Sequence, residues 1–123
     1  MSFDWSFFLE VAKELACSEA KGQRRGADFR ASIGRSYYAA FGLACAFVRR
    51  NGGKIPRMEK HSFVKQWFRI QAQTDCSEVA LLLQILLNQR GKADYEERFS
   101  DCEIQASICL DYAKDAIGLL RKM

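Results

Sequence analysis

The sequence has little of what metal sites, disulfide frameworks and membrane spans require. It contains one histidine, His61, one proline, Pro56, and five cysteines, no two of which are spaced as C-x-x-C. One histidine and scattered cysteines supply no Cys/His zinc set, so we expect neither a bound metal nor another cofactor. The longest apolar runs, 37–41, 43–48 and 79–83, are far shorter than the ~20 residues of a membrane-spanning helix. Since the N-terminus also shows no secretory signal pattern, these features favour a cytoplasmic protein with reduced cysteines.

Strand patterns are also missing, and helical periodicity takes their place. No segment alternates apolar and polar residues over more than a few positions. Apolar residues recur instead every three or four positions, in five segments at about 3–21, 26–50, 59–72, 76–90 and 100–121. A chain of 123 residues has the size of one domain. We therefore predict a single all-α domain, an up-and-down bundle of about five helices.

Glycine and proline predict where the helices are interrupted. Gly52 and Gly53 have the conformational freedom that a helix C-terminus uses, and Pro56 prevents the second helix from continuing. Gly91 is expected to end the fourth helix, so that "KADYEERF" becomes a connecting segment. Small residues at and around Gly42 leave room for another helix to approach the second one closely.

Basic residues are concentrated in the middle of the chain. Residues 21–69 contain twelve Lys or Arg and only two acids, Asp28 and Glu59, which gives a local net charge of +10. Residues 1–20 and 71–123 each carry a net charge of −3. Such segregation favours an anionic partner, namely RNA, a nucleotide or an acidic protein face. The alternative is a set of surface cations that never forms one patch, and the sequence leaves both possibilities open.

Three groups of polar residues interrupt the apolar stripes. They are, in chain order, Arg35 with Tyr37 and Tyr38, His61 alone, and Arg90 with Asp94 and Tyr95. In one interpretation Arg35, Asp94 and Tyr95 form a hydrogen-bonded network that holds the segment after the fourth helix against the second. The two phenols of the second helix are interpreted as packing residues, and His61 as either a capping or surface residue or a site residue. Arg90 ends the most apolar helix and needs a partner, which is either Asp94 or a phosphate.

Four segments resemble the HEPN family, the higher-eukaryote and prokaryote nucleotide-binding domain. They are "WSFFLEVAKELA" at the start, "RSYYAAF" in the second helix, "HSFVKQWF" in the third and "LLNQRGKADYEERF" before the last. The resemblance covers nearly the whole chain in order. It implies a helical bundle that dimerises and that, in many members, is a metal-independent ribonuclease or toxin encoded beside a minimal nucleotidyltransferase. It also implies that other members are non-catalytic modules that bind RNA or nucleotides.

The nuclease motif of the family is incomplete in this chain. That motif is an arginine, usually followed by an asparagine, with a histidine four to six intervening residues later. Arg90 matches the arginine, Gly91 stands in the asparagine position, and Tyr95 stands in the histidine position. The resemblance also implies that, in some pairs of a HEPN protein and a nucleotidyltransferase, the nucleotidyltransferase attaches nucleotides to a tyrosine near this motif. Tyr95 is the candidate for that tyrosine in this chain.

Metal-free cleavage of RNA requires three chemical roles. A base takes the 2′-hydroxyl proton, an acid protonates the leaving oxygen, and a cation stabilises the charge on the phosphorane. Arg90 suits the last role because its guanidinium is planar and has several donors. A histidine such as His61, with an ordinary pKa of about 6.5, suits proton transfer better than a tyrosine does. His61 can join Arg90 only if folding brings their helices together.

We therefore expect an RNA- or nucleotide-binding homodimer in a prokaryotic toxin–antitoxin or defence-type pair with a minimal nucleotidyltransferase, and no membrane partner. One alternative is a metal-independent ribonuclease that uses Arg90 with Tyr95 or His61. Another is a non-catalytic dimerisation or adaptor bundle. The candidate binding residues are Arg35, Tyr38, Arg49, Arg50 and Asp94.

Overall fold

Five α-helices make up the computed structural model, which describes residues 2–123. They are α1 (Phe7–Ala16), α2 (Gln23–Arg50), α3 (Lys60–Arg69), α4 (Thr74–Tyr95) and α5 (Cys102–Lys122). Residues 2–123 contain no β-strand, so the predicted all-α fold class is confirmed. None of these five helices combines the length and the apolar character that crossing a lipid bilayer requires.

Helix α2 is the structural centre of the bundle, because it packs against all four other helices. Its 28 residues extend over about 42 Å, at ~1.5 Å per residue. Its buried residues recur every three or four positions and include Phe29, Ile33, Tyr37, Ala40, Ala44 and Val48. They form one hydrophobic core with apolar residues of α3, α4 and α5.

The end of α2 has the glycine geometry that the sequence predicts. Gly52 has a φ of +86°, in the left-handed region that glycine adopts without steric cost. Its N–H donates to the carbonyl of Arg49 at 3.2 Å, and the Gly53 N–H donates to that of Val48 at 2.9 Å. These two bonds are a Schellman motif, which ends the helix and turns the chain away from its axis.

Helix α3 runs in the same direction as α2. His61, at the start of α3, is hydrogen-bonded to Tyr37, whereas Phe68, near its end, packs on Phe47 with ring centroids 5.6 Å apart. Residue numbers therefore rise together along the two helices. Residues 51–59 return the chain to the middle of α2 before α3 begins. The predicted up-and-down topology is wrong at α3, because this returning loop removes the alternation of direction.

Helix α1 is shorter than the predicted segment 3–21. The Asp4 carboxylate accepts hydrogen bonds from the N–H and the hydroxyl of Ser6, at 2.9 and 2.7 Å, so the residues before the helix form a turn. Beyond the helix, the Ser18 hydroxyl donates to the carboxylate of Asp28 at 2.6 Å. Polar side chains thus compete with the helical backbone at both ends of α1.

Helix α4 continues through Gly91, and the prediction that Gly91 ends it is wrong. Glycine inside a helix costs only about 1 kcal/mol relative to alanine, and tertiary contacts offset that cost here. The guanidinium of Arg30, on α2, donates to the carbonyls of Ala93 at 2.8 Å and Glu96 at 2.6 Å. Since Ala93 is also buried in the core, α2 holds the last turn of α4 in place.

Candidate functional site

A cavity of about 410 Å³ lies beside α2, where the loop between α2 and α3 returns along that helix. Three aromatic side chains line it, those of Trp5, Tyr38 and Phe41. Its cationic side chains come from α2, from the loop and from the start of α3. The cavity therefore combines aromatic surface with positive charge.

One face of α2 forms the floor of the cavity. The lining residues on this face are spaced by three or four positions, which places them on one side of the helix. They are Tyr38, Phe41, Cys45 and Arg49. From the first to the last of them the helix rises by about 16 Å, at ~1.5 Å per residue. The cavity is therefore elongated, with a phenol near one end of its floor and a guanidinium near the other.

Trp5 reaches the cavity from the turn before α1. Its indole lies so close to α2 that a Cβ atom added to Gly42 would overlap the ring. The rings of Phe3 and Phe8 pack against the indole, with centroids 5.1 and 5.4 Å from it. The prediction that small residues on α2 admit a close neighbour holds at Gly42, but the neighbour is a tryptophan side chain instead of a helix.

Three cations line the cavity without an ion-pair partner. Arg49 lies on α2, Arg57 in the loop and Lys60 at the start of α3. Within residues 2–123, no carboxylate lies within ion-pair distance of any of them. Other cations are neutralised in ion pairs, namely Arg24 with Asp28, Arg25 with Glu103, Arg90 with Asp94 and Lys122 with Asp75. Part of the basic middle section therefore converges on the cavity, and another part is used elsewhere on the molecule.

His61 lines the cavity and packs among aromatic rings. Its imidazole stacks on Phe41 with centroids 4.4 Å apart, and its Nδ1 is hydrogen-bonded to the hydroxyl of Tyr37. Burial, followed by the positive charges of Arg90 and Lys60, lowers the pKa of His61 below its ordinary value of 6.5. Burial also raises the pKa of Tyr37, so its hydroxyl stays protonated. The imidazole is therefore neutral at pH 7, the form in which a histidine acts as a base.

Folding brings Arg90 into the same aromatic cluster as His61. The guanidinium carbon of Arg90 lies 5.0 Å from the centroid of the Tyr38 ring, and the Tyr38 and His61 ring centroids are 6.4 Å apart. The Nε–H of Arg90 donates to the Asp94 carboxylate at 3.1 Å. The sequence left Asp94 and a phosphate as the two possible partners of Arg90, and in the structure Asp94 is paired with it. The Arg90 side chain keeps 22% of its surface exposed and stays accessible from solvent.

The predicted network of Arg35, Asp94 and Tyr95 does not form. The Arg35 guanidinium lies 4.9 Å from the centroid of the Phe8 ring, on α1, and it is Arg30 that holds the end of α4. Tyr95 is 80% exposed and is not packed in apolar surroundings. Arg30 and Arg35 are five residues apart and therefore face different sides of α2. Only the packing of whole helices decides which of the two faces α4.

The remaining predicted residues fall inside and outside the cavity. Arg49 lines the cavity, whereas Arg50 does not. The guanidinium carbon of Arg50 lies 5.7 Å from the centroid of the Phe47 ring. Tyr95 lies in a separate surface groove, beside Arg30. Of the predicted site residues, Tyr38, His61 and Arg49 line the cavity, Arg90 with Asp94 packs on Tyr38 without being among the lining residues, and Arg35, Arg50 and Tyr95 lie apart.

The sequence patterns do not identify Trp5, Arg57, Glu59 or Lys60 as site residues, although all four line the cavity. Arg57 and Lys60 belong to the basic middle section, which is a signal for them as a group. Their position beside α2 depends on the path of the loop, which periodicity does not reveal. Glu59 is the one carboxylate among the described residues that line the cavity, and it has no ion-pair partner within residues 2–123.

The cavity shows no arrangement for a metal ion or a thiol nucleophile. No group of three His, Cys, Asp or Glu side chains within residues 2–123 is placed to hold a metal. The thiol of Cys45 lines the cavity, and burial raises its pKa, which keeps it protonated. Cys45 therefore serves as a small lining residue.

Comparisons with protein-family models, with curated proteins and with solved structures found no match to this chain. The resemblance to the HEPN family therefore rests on the four sequence segments alone. The geometry independently shows an aromatic cavity that has unpaired cations and is lined by His61, whose pKa burial lowers.

Proposed function

We propose that this protein is an RNA- or nucleotide-binding bundle of the HEPN type, and that the cavity beside α2 is its binding site. The observation that carries the proposal is the combination of three unpaired cations with three aromatic rings in one cavity. Cations attract phosphate groups, and aromatic rings stack on bases at about 1–3 kcal/mol per base. An acidic protein face offers the negative charge but not the planar bases that such rings accommodate.

The salt dependence of RNA binding tests this proposal. Contacts between the cavity cations and RNA phosphate predict that log K falls against log salt concentration, with a slope of about −0.7 per phosphate contact for single strands. Replacing Arg49 or Arg57 by alanine should weaken binding and make the slope shallower by about 0.7. Arg50→Ala is the matched control, because Arg50 is adjacent to Arg49 but does not line the cavity. No RNA retention at low salt, or equal losses for Arg49→Ala and Arg50→Ala, would contradict the proposal.

From the HEPN resemblance, we further propose that the protein forms a homodimer and works in a toxin–antitoxin or defence-type pair with a minimal nucleotidyltransferase. The four segments, found in the family's order, support this part. Co-purification with a nucleotidyltransferase encoded beside it tests the pairing, and sedimentation of the protein alone tests the dimer. Failure to recover a complex argues against the pair, and a monomer at all concentrations argues against the dimer.

Tyr95 is the proposed site at which that partner attaches nucleotides. Its 80% exposure leaves the hydroxyl open to another enzyme. Mass spectrometry of the co-expressed protein should detect an added nucleotide mass that Tyr95→Phe lacks and Tyr112→Phe retains. A wild-type protein that carries no added mass after co-expression would remove this part of the proposal.

A second candidate function is metal-independent RNA cleavage, which the placement of His61 and Arg90 around Tyr38 favours. The neutral His61 imidazole would remove the proton from a 2′-hydroxyl, whose oxygen attacks the adjacent phosphorus. The 5′-oxygen would leave with a proton from solvent water, and a 2′,3′-cyclic phosphate would remain. Arg90 would stabilise the charge on the phosphorane. His61 takes the proton-transfer role because Tyr95, in the motif's histidine position, lies in a separate groove.

Incubation of the protein with RNA in the presence of a chelator tests this second function. His61→Gln and Arg90→Ala should each abolish cleavage, whereas Arg50→Ala should cleave at the wild-type rate. Equal cleavage rates for the wild type, His61→Gln and Arg90→Ala would rule the mechanism out and point to a contaminating nuclease. A protein that neither binds nor cleaves RNA would correspond to the adaptor alternative.

A further inference from the structure

We infer that the cavity beside α2 holds one guanosine 5′-monophosphate unit, either a free nucleotide or the 5′ end of an RNA, and that Glu59 selects the guanine. This inference rests on the proposed nucleotide binding and specifies the ligand of the same site. Three observations carry it: the size of the cavity, the distribution of charge along it, and the unpaired carboxylate that lines it.

The size of the cavity limits the ligand to about one nucleotide. Its volume of about 410 Å³ lies near the lower end of the ~300–1,000 Å³ that small-molecule sites enclose. A single base with its sugar and phosphate fits such a space, whereas a folded RNA can contact only the rim. An RNA strand would therefore enter by its end nucleotide, and the rest of the strand would stay outside.

The charge along the cavity orients the nucleotide. Arg49 lies about three helical turns beyond Tyr38, so its guanidinium and the phenol are at opposite ends of the floor. The phosphate therefore belongs at the Arg49 end of the floor, and the loop contributes a second unpaired guanidinium to the cavity, that of Arg57. The base belongs at the other end, on the rings of Tyr38 and Phe41, because these offer apolar surface for stacking.

Glu59 gives the cavity a means of choosing among bases. An ionised carboxylate only accepts hydrogen bonds, and its two oxygens match two adjacent donors. Guanine has such a pair of donors, at N1 and N2 of its Watson–Crick edge. Adenine, cytosine and uracil place an acceptor beside their donor on that edge, and an acceptor repels a carboxylate. Because the Glu59 carboxylate has no ion-pair partner within residues 2–123, it is free to accept from the ligand.

The fluorescence of Trp5 reports on binding in the cavity directly. The chain contains two tryptophans, so a Trp67→Phe protein isolates the signal of Trp5. GMP should quench this signal with a dissociation constant about tenfold or more below those of AMP, CMP and UMP, as expected for a bidentate contact. Glu59→Gln should raise the GMP dissociation constant and abolish the preference for GMP over AMP, because the amide no longer matches two adjacent donors and no longer repels the adenine acceptor. Calorimetric titration of the protein that retains Trp67 provides the same comparison if Trp67→Phe folds poorly.

Two controls separate the two parts of the ligand. Glu14→Gln removes an exposed carboxylate on α1 that does not line the cavity, and it should leave the preference for GMP intact. Guanosine without its phosphate should bind more weakly than GMP in the wild type. The difference between guanosine and GMP should shrink in Arg49→Ala, because that variant lacks the guanidinium at the phosphate end.

The outcomes distinguish this inference from the proposed function on which it rests. RNA binding without any preference for GMP over AMP, or a preference that survives in Glu59→Gln, would overturn the inference and leave RNA binding standing. No binding of RNA or of any mononucleotide would overturn both. Competition by RNA that begins with 5′-phosphorylated guanosine, but not by the same RNA with a 5′-hydroxyl, identifies the strand end as the source of the ligand. Binding of GMP without such competition identifies the free nucleotide.

Discussion

The indole of Trp5 lies against the backbone of Gly42, where the Cβ atom of any other residue would overlap it. This contact joins the turn before α1 to the middle of α2 and forms one wall of the cavity. The indole can take this position only because Gly42 has no Cβ atom. Replacing Gly42 by alanine therefore tests the cavity wall without changing any charge.

Gly42→Ala should displace the Trp5 indole and deform the cavity. Extra atoms forced into a packed site cost about 1–3 kcal/mol, which the higher helix propensity of alanine offsets by up to about 1 kcal/mol. We expect a lower free energy of unfolding in urea, an altered Trp5 emission in the Trp67→Phe protein, and weaker ligand binding.

Gly34→Ala is the matched control for this substitution. Gly34 also lies inside α2, but a Cβ atom there meets no other atom within 4 Å. It should leave ligand binding unchanged and stabilise the protein by up to about 1 kcal/mol. Similar effects of the two substitutions on binding would show that the wall of the cavity does not depend on the Trp5 contact.

Arg30→Met should loosen the last turn of α4. The substitution removes the guanidinium that donates to the carbonyls of Ala93 and Glu96. Hydrogen bonds from a charged group contribute about 1.5–3 kcal/mol, so we expect a loss of about 2 kcal/mol in the free energy of unfolding. Amide hydrogen exchange should accelerate at residues 92–96. Arg35→Met, which removes an exposed guanidinium from the Phe8 ring, should cost less and should leave exchange in α4 unchanged.

His61 should make the stability of the protein fall at acidic pH. In the folded state, burial first and then the charges of Arg90 and Lys60 lower the pKa of His61. In the unfolded chain His61 titrates near pH 6.5, so above about that pH both states are neutral and stability is fully retained. Below it, the unfolded state takes up a proton that the folded state resists, and stability is lost.

Urea unfolding at pH 8 and at pH 5 measures this effect. The free energy of unfolding should decrease more between these two pH values for the wild type than for His61→Gln. Carboxylates common to both proteins contribute equally and cancel in the comparison. Parallel decreases in the two proteins would mean that the folded environment of His61 does not resist protonation.

Thiol labelling should separate the cysteines by burial. Cys17 is exposed, whereas burial raises the pKa of Cys109 to about 11 and keeps its thiol both covered and protonated. A disulfide reagent at pH 8 should therefore modify Cys17 first and Cys109 only after unfolding in urea. Cys17→Ser should remove one equivalent from the fast phase. Rapid modification of Cys109 in the folded protein would contradict the packing of α5.

The class of the fold could be predicted because helical periodicity reports on burial along each segment separately. The five predicted segments correspond to five helices, and α2 ends at the glycines that the sequence marks. Predictions of helix ends failed where a side chain distant in the sequence overrode the helix propensity of the local residues. Gly91 is a weak helix residue, yet α4 passes through it because Arg30 binds the carbonyls beyond it.

The candidate site could be predicted only in part. His61, Tyr38 and Arg90 stand out in the sequence because charged or polar groups interrupt apolar stripes, and the fold brings these three together. Trp5 and Glu59 do not stand out, since an aromatic residue near an apolar stripe and an acid beside basic residues are common in any helical domain. Their role follows from the cavity, which exists only after the loop has folded back on α2.

By itself the sequence determined that this chain is helical, that its middle is basic and that its longest helix ends just before Gly52 and Gly53. Each of these properties depends on residues that are close together in the chain. Only the tertiary structure decided that residues 51–59 return along α2 and that Trp5 packs on the helix at Gly42. Such contacts join residues far apart in the chain. They depend on the direction and rotation of whole helices, and the local spacing of apolar residues does not encode either.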